Sequence, residues 1–216
     1  MTFPELKLLV ARGEGSHLEF KKRTPGPEKI AREIVALTNS GSGKILIGID
    51  DDGAILGVKD TAEEEYAVRK AVRDWVFPEL RWNFRTIAVS RKREVLVLSI
   101  PTGRSGPHLV RNSLGNDRGT MYVRFDDESV VASPEAYMIA SAPSSPASQP
   151  FVFGAAELLA MELVESDEII TVRGLANHAK ISRFQARTVL VTLTLSGVLR
   201  HEISRPEDFF VVACVV

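Results

Sequence analysis

The sequence predicts an α+β chain in two units, a mixed-sheet unit followed by a small helix-rich one, and three observations carry that expectation. Gly43-Lys-Ile-Leu-Ile-Gly-Ile-Asp-Asp-Asp-Gly53 is a short β-branched apolar run, which reads as a strand buried on both faces. Short strand and helix patterns alternate on either side of it. Ser141-Ala-Pro-Ser-Ser-Pro-Ala-Ser-Gln-Pro150 then breaks the pattern, and a stretch so rich in Pro, Ser and Ala reads as an extended linker. The expected boundaries are therefore 1–140, a linker over 141–150, and 151–216.

The elements follow in order. Pro4 to Ala11 has Leu6, Leu9 and Val10 at helical spacing, closed by Gly13. Leu18 and Phe20 alternate with Glu19 and Lys21, the period of a half-buried strand. Thr24 to Pro27 is a turn. A helix from about Glu28 to Leu37 carries Ile30, Ile34 and Leu37 on one side. Gly48 interrupts the central strand, which implies that another segment passes close by. Asp52-Gly53 marks a tight turn before an expected second strand, Ala54 to Val58. Thr61 is the expected cap of a helix carrying Val68, Val72 and Trp75 and ending before Pro78. Arg81 to Ser90 and Glu94 to Ile100 read as paired strands. Pro101 to Gly119 reads as a long loop, and Met121 to Phe125 as the last strand.

Beyond the linker, Ala155 to Val164 is helical. Thr171 caps a short helix to His178, and Ser182 with Gln185 opens a third as a capping box. Val198 to Ile203 and Phe209 to Val212 form a hairpin. Three helices and a two-stranded hairpin are the order of a winged helix-turn-helix. Its third helix presents Arg183, Gln185 and Arg187 in its first turns, residue types that suit base edges and phosphates. Such units also dock proteins.

Composition narrows the function classes. The chain has 216 residues, 44% hydrophobic and 25% charged, with a formal net charge of −1, so any polyanion footprint must be local. Candidate basic clusters are Lys21-Lys22-Arg23 and Arg91-Lys92-Arg93, with Arg104, Arg111, Arg118 and Arg124 scattered later. One cysteine, Cys214, excludes an internal disulfide framework and suits a reducing cytoplasm. Met1 to Glu5 lacks the flank and core of a secretory signal, and no apolar run approaches a membrane span. The four histidines show no metal-ligand spacing.

Two constellations bear on chemistry. Glu14, Glu19 and Asp51 are carboxylates from separate segments. Gathered together they would repel unless a hard divalent cation such as Mg²⁺ neutralised them. Taken singly, each also reads as loop, ion-pair or turn chemistry. Ser40-Gly-Ser-Gly-Lys44 fails as a P-loop: Thr38 stands where the first glycine belongs, Ile45 replaces the Mg²⁺-binding hydroxyl, and the loop precedes a strand instead of a helix. No ATP is expected through it.

Glu14-Gly-Ser-His-Leu-Glu-Phe-Lys21, Ala36-Leu-Thr-Asn-Ser40, Ile45 to Gly53, Gly57-Val58, Pro107 and Tyr122-Val-Arg124 together resemble the Schlafen-type AlbA_2 domain over about residues 5–132. The resemblance implies an α+β nucleic-acid-binding fold, often beside a C-terminal winged helix. In animal Schlafen proteins three acidic residues of these blocks form a metal-dependent endoribonuclease site, and by motif they fall on Glu14, Glu19 and Asp51, with Mg²⁺ or Mn²⁺ implied. Lys21, Lys22 and Arg124 would then face phosphate. The sequence departs from the family at Gly41-Ser42-Gly43 and at Phe125-Asp126-Asp127-Glu128, which replaces a Gly-Ser-Ser run. The expectation is a DNA-binding transcriptional regulator, with a ribonuclease for structured RNA as the alternative and a protein-interaction role if neither nucleic acid binds. Schlafen cores hold two facing lobes and this chain has one, so a homodimer is expected.

Overall fold

The computed structural model describes residues 1–103, 106–143 and 153–213. Most of the expected linker, together with Arg104 and Cys214, lies outside the described residues.

The first unit, Met1–Ala132, is built on a four-stranded sheet. Helix α1 (Phe3–Val10) leads to β1 (Leu18–Lys21), α2 (Pro27–Asn39) and β2 (Gly43–Ile47). After α3 (Thr61–Trp75) and the short β3 (Val76–Phe77), β4 (Asn83–Ser90) and β5 (Arg93–Ile100) form the expected pair. The strand order is β1-β2-β5-β4. β1 runs parallel to β2 across α2, and the other neighbours are antiparallel, so the sheet is mixed.

Period-two alternation gives this sheet two apolar faces. Ile45, Ile47, Leu96 and Leu98 pack with α2 and α3, while Phe20, Leu46, Val95 and Val97 pack with α1. Ile45, Leu46 and Ile47 are fully buried. Each such side chain contributes about 1.5–3 kcal/mol relative to exposure. Gly48, at φ +107°, follows directly, and a Cβ there would stand 2.9 Å from the Gly57 Cα, which accounts for the break in the apolar run.

Four expectations are corrected. Glu19 is not on a solvated face: α2 and the turn after β8 (Tyr122–Phe125) cover that side, leaving it 5% exposed. Ala54 to Val58 forms only isolated bridges, Ile49 to Ile55 and Val58 to Glu94, instead of a ladder strand. Asp60, not Thr61, caps α3, its carboxylate accepting the Ala62 and Glu63 N–H groups while the Thr61 hydroxyl donates to Glu94. The 101–119 stretch contains β6 (Leu109–Arg111) and β7 (Gly119–Thr120), because Val110 is apolar enough to bury against Val76 in a small sheet with β3. β8 pairs with β9 (Glu128–Val131), so the acidic 125–128 run is the hairpin turn.

The second unit begins at Ser133, earlier than expected. The Ser133 side chain caps α4 (Pro134–Ala140), a helix that the sequence reading missed. Then come α5 (Ala155–Asp167), α6 (Val172–Ala179), α7 (Arg183–Leu195) and the hairpin β10 (Leu199–Glu202) with β11 (Phe209–Val212). Val164, Leu175, Leu190, Leu199 and Phe210 form the core, and Ile170 bridges to Phe210 as a third strand fragment. Among the described residues no helix is long and apolar enough to cross a membrane.

Candidate nucleic-acid interface

The expected acidic residues lie near one another but are not arranged as ligands. Glu14, in the turn before β1, accepts the Phe20 N–H through Oε1 at 2.7 Å. Burial pushes its pKa up; the Phe20 N–H opposes this and the charge of Glu19 adds to it. Glu19 on β1 is hydrogen-bonded to the Lys21 ammonium, and its Oε2 stands 2.8 Å from Arg124 Nη1. Asp51 is exposed in the turn after β2. Among the described residues, no three acidic, His or Cys side chains are grouped to hold a metal ion. The donor set therefore does not fit the divalent cation that the resemblance implies: the Glu19 oxygens already face two cations, Glu14 is engaged by the Phe20 N–H, and Asp51 is exposed in its turn.

Arg124 is the hub of this cluster. Its side chain is 1% exposed and its Nη1 and Nη2 donate to Glu33, to the Ser129 hydroxyl, and to the Gly15 and Asp127 carbonyls. Burial pushes the Glu33 carboxyl up, against the Ser129 hydrogen bond. A guanidinium so enclosed cannot reach a phosphate, so the phosphate-facing role expected for Arg124 is corrected to an internal cross-link. Lys21, only partly buried, is paired with Glu19. Asn39 is structural as well: its amide donates to the His108 and Tyr122 carbonyls and accepts the His108 N–H.

Lys22 has a different setting. With Arg23, Lys59 and Arg93 it lines a pocket of about 260 Å³ whose remaining walls are Leu56, Gly57 and Val58. Lys22 pairs with Asp50 at 2.8 Å and Arg23 with Glu64 at 3.7 Å, while Arg93 donates to the Gly57 carbonyl. The fold thus joins two basic clusters that lie some seventy residues apart in sequence. Sequence reasoning noted both clusters but not their meeting, and it missed Lys59. The Gly57-Val58 passage beside Gly48, which sets Lys59 against Arg93, was the available signal.

In the second unit, Arg183 is exposed at the start of α7, and Ser182 and Gln185 form the expected capping box. The box engages the Gln185 amide oxygen with the Ser182 N–H and hydroxyl, which leaves its NH₂ as the outward donor. Arg187 is tied to the buried Glu135 carboxylate at 2.7 Å. Lys180 holds the α6–α7 turn in the left-handed conformation.

Fold and site together define an α+β protein with a buried ion-pair cluster beside a cationic pocket. A family model described as Schlafen, AlbA_2 matches residues 14–133, more than half of the chain, and the chain belongs to that family. No curated protein matches it. Among solved structures, the chain is similar to the DIP2311 protein from Corynebacterium diphtheriae, with 17% identity and a TM-score of 0.42 over 74% of this chain. It spans only 32% of that protein. It is also similar to the N-terminal domain of a putative ATP-dependent DNA helicase RecG-related protein from Nitrosomonas europaea, with 14% identity and a TM-score of 0.41 over 72% of this chain and 96% of that one.

Proposed function

We propose that the protein binds nucleic acid and acts as a DNA-binding transcriptional regulator. The observation that carries this reading is the convergence of Lys22, Arg23, Lys59 and Arg93 on one pocket, whose lining among the described residues includes no acidic side chain, although Asp50 and Glu64 pair with Lys22 and Arg23 from outside it. Clustered cations on an otherwise neutral protein mark where a phosphate backbone releases its counterions. The second unit supports the regulatory half of the proposal. Three of its helices, α5 to α7, and the hairpin after them come in the order of a winged helix-turn-helix, and in that reading Arg183 and Gln185, in the first turns of α7, contact bases. Glu19, committed to Lys21 and Arg124, is not available as a metal ligand for the ribonuclease alternative. A homodimer completing a two-lobed groove, in the cytoplasm, belongs to the same reading.

The test is fluorescence anisotropy with duplex DNA and with a structured RNA across a salt series. Lys22→Ala with Arg93→Ala should weaken binding and flatten the slope of log K against log salt by about 2, one per phosphate contact. Absence of salt-dependent binding to either nucleic acid would overturn the proposal.

A further inference from the structure

Arginines line a second cleft of the first unit. The cleft is about 640 Å³, walled by α3 on one side and the 79–82 segment on the other. It shares no lining residue with the cationic pocket or with the Ser40–Lys44 loop. Arg69 and Arg73 lie one turn apart on α3, Arg111 comes from β6, and Arg81 from the facing segment. The facing acids are Glu65 on Arg69, Asp74 on Arg73, Asp117 on Arg111, and Glu79 in the wall. Arg81 is exposed and has no carboxylate partner among the described residues. The Arg69 guanidinium is fixed over the Trp82 and Phe84 rings at 5.1 and 5.0 Å, so its fork is already oriented.

An adjoining cavity of about 650 Å³ uses the same Glu79–Trp82 wall and has a different chemistry. It contains Asn83, Ser99, Thr102 and the buried His108, beside Ile100 and Pro101. His108 is 2% exposed, and its Nδ1 has no hydrogen-bond partner among the described residues. Gly103 leaves that nitrogen uncovered on one side, where a Cβ would stand 3.0 Å from it. Burial pushes the imidazole pKa down, against a hydrogen bond to the Glu79 backbone, and with the other nitrogen donating there the neutral ring offers Nδ1 as an acceptor. A cluster of guanidinium groups beside a neutral polar cavity matches a ligand with an anionic end and a heterocyclic end.

We infer that this paired cleft binds a free nucleoside 5′-diphosphate, with Arg69, Arg73, Arg81 and Arg111 receiving the phosphates and the His108 cavity receiving the nucleoside. The ligand displaces Glu65, Asp74 and Asp117 from the arginines and lies across Arg81 and Trp82. This site goes beyond the nucleic-acid reading and does not depend on it. The Ser40–Lys44 loop contributes no lining residue among the described residues, although its Gly41 carbonyl holds the Thr102 hydroxyl.

The experiment is calorimetric titration of the full chain with ADP, GDP, pyrophosphate and adenosine, beside an Arg73→Gln/Arg81→Gln variant whose folding is checked by its melting temperature. Both side chains are exposed, so the fold should tolerate the change. ADP should bind more tightly than either pyrophosphate or adenosine, and the variant should bind it at least about ten-fold more weakly, the scale of one lost charge-assisted contact. Duplex DNA affinity should be unchanged in that variant, which separates this site from the cationic pocket. No binding of ADP or GDP, equal binding by the folded variant, or displacement of ADP by stoichiometric duplex DNA would each overturn the inference.

Discussion

Arg124 Nη1 stands 2.8 Å from Glu19 Oε2, both side chains almost wholly buried, close enough for an ion pair but not aligned as a hydrogen bond. Glu33 is bound to the same nitrogen at 2.9 Å. One guanidinium therefore offsets two carboxylates from separate elements, Glu19 buried and Glu33 partly so. Removing one partner of such a set leaves uncompensated buried charge, typically costing about 3–5 kcal/mol. Arg124→Met should lose stability on that scale in urea unfolding, and adding Glu19→Met should recover part of the loss. A loss below about 1 kcal/mol, the range of exposed pairs, would show that the cluster is not a structural cross-link.

Glu14 gives a pH signature. Burial first, and then the charge of Glu19, raise its folded pKa above the ordinary 4.5, so the folded state holds the proton more tightly than the unfolded chain. Its favourable contribution is complete below the unfolded pKa and is lost as pH rises through the folded one. Glu14→Gln keeps an acceptor for the Phe20 N–H and removes the titration. The variant should be more stable than the parent at pH 8, with the difference closing toward pH 4 in thermal melts. Asp208 runs the other way. Burial raises its pKa, but the His201 ring, the Ser133 hydroxyl and the Ser204 N–H outweigh it and hold the carboxyl below 3.8. Asp208→Asn should therefore lose stability at neutral pH, with the deficit fading in acid.

The central strand, the mixed sheet and the α7 capping box were legible because each is written locally, in a β-branched run, an alternation or a Ser-x-x-Gln spacing. Arg124 was not. Its strand period assigns a face but does not say that Glu33 and the Gly15 carbonyl will close over that face. The linker signal at 141–150 also masked a nearer boundary, although Ser133-Pro134 is a good helix start. Lys59 joined Lys22 and Arg93 only through the passage of Gly57 beside Gly48, a contact with no sequence signature beyond the two glycines.

That passage is testable in itself. Gly48 combines φ +107° with a neighbour that leaves no room for a Cβ, at 2.9 Å from the Gly57 Cα. Gly48→Ala should destabilise by at least about 1–3 kcal/mol, the range for a strained backbone conformation, before any clash is added. The same variant should weaken duplex binding, because the segment that holds Lys59 against Arg93 must shift. Unaltered stability would mean that the two backbones separate freely.

Glu135 sets the last expectation. It is 6% exposed, sits on α4, and holds Arg187 at 2.7 Å, whereas Arg183, one turn earlier on α7, is exposed. If α7 meets DNA, Arg187 is a cation withheld from it by an internal carboxylate. Glu135→Gln preserves an oxygen acceptor but removes the charge that holds the guanidinium. The freed arginine should add about one unit to the salt slope of duplex binding, through one further phosphate contact. Adding Arg187→Ala should cancel that gain, while Arg183→Ala should weaken binding whether or not Glu135 is present. An unchanged slope in Glu135→Gln, with the fold intact by circular dichroism, would place Arg187 outside the DNA-facing surface and leave its pairing with Glu135 purely structural.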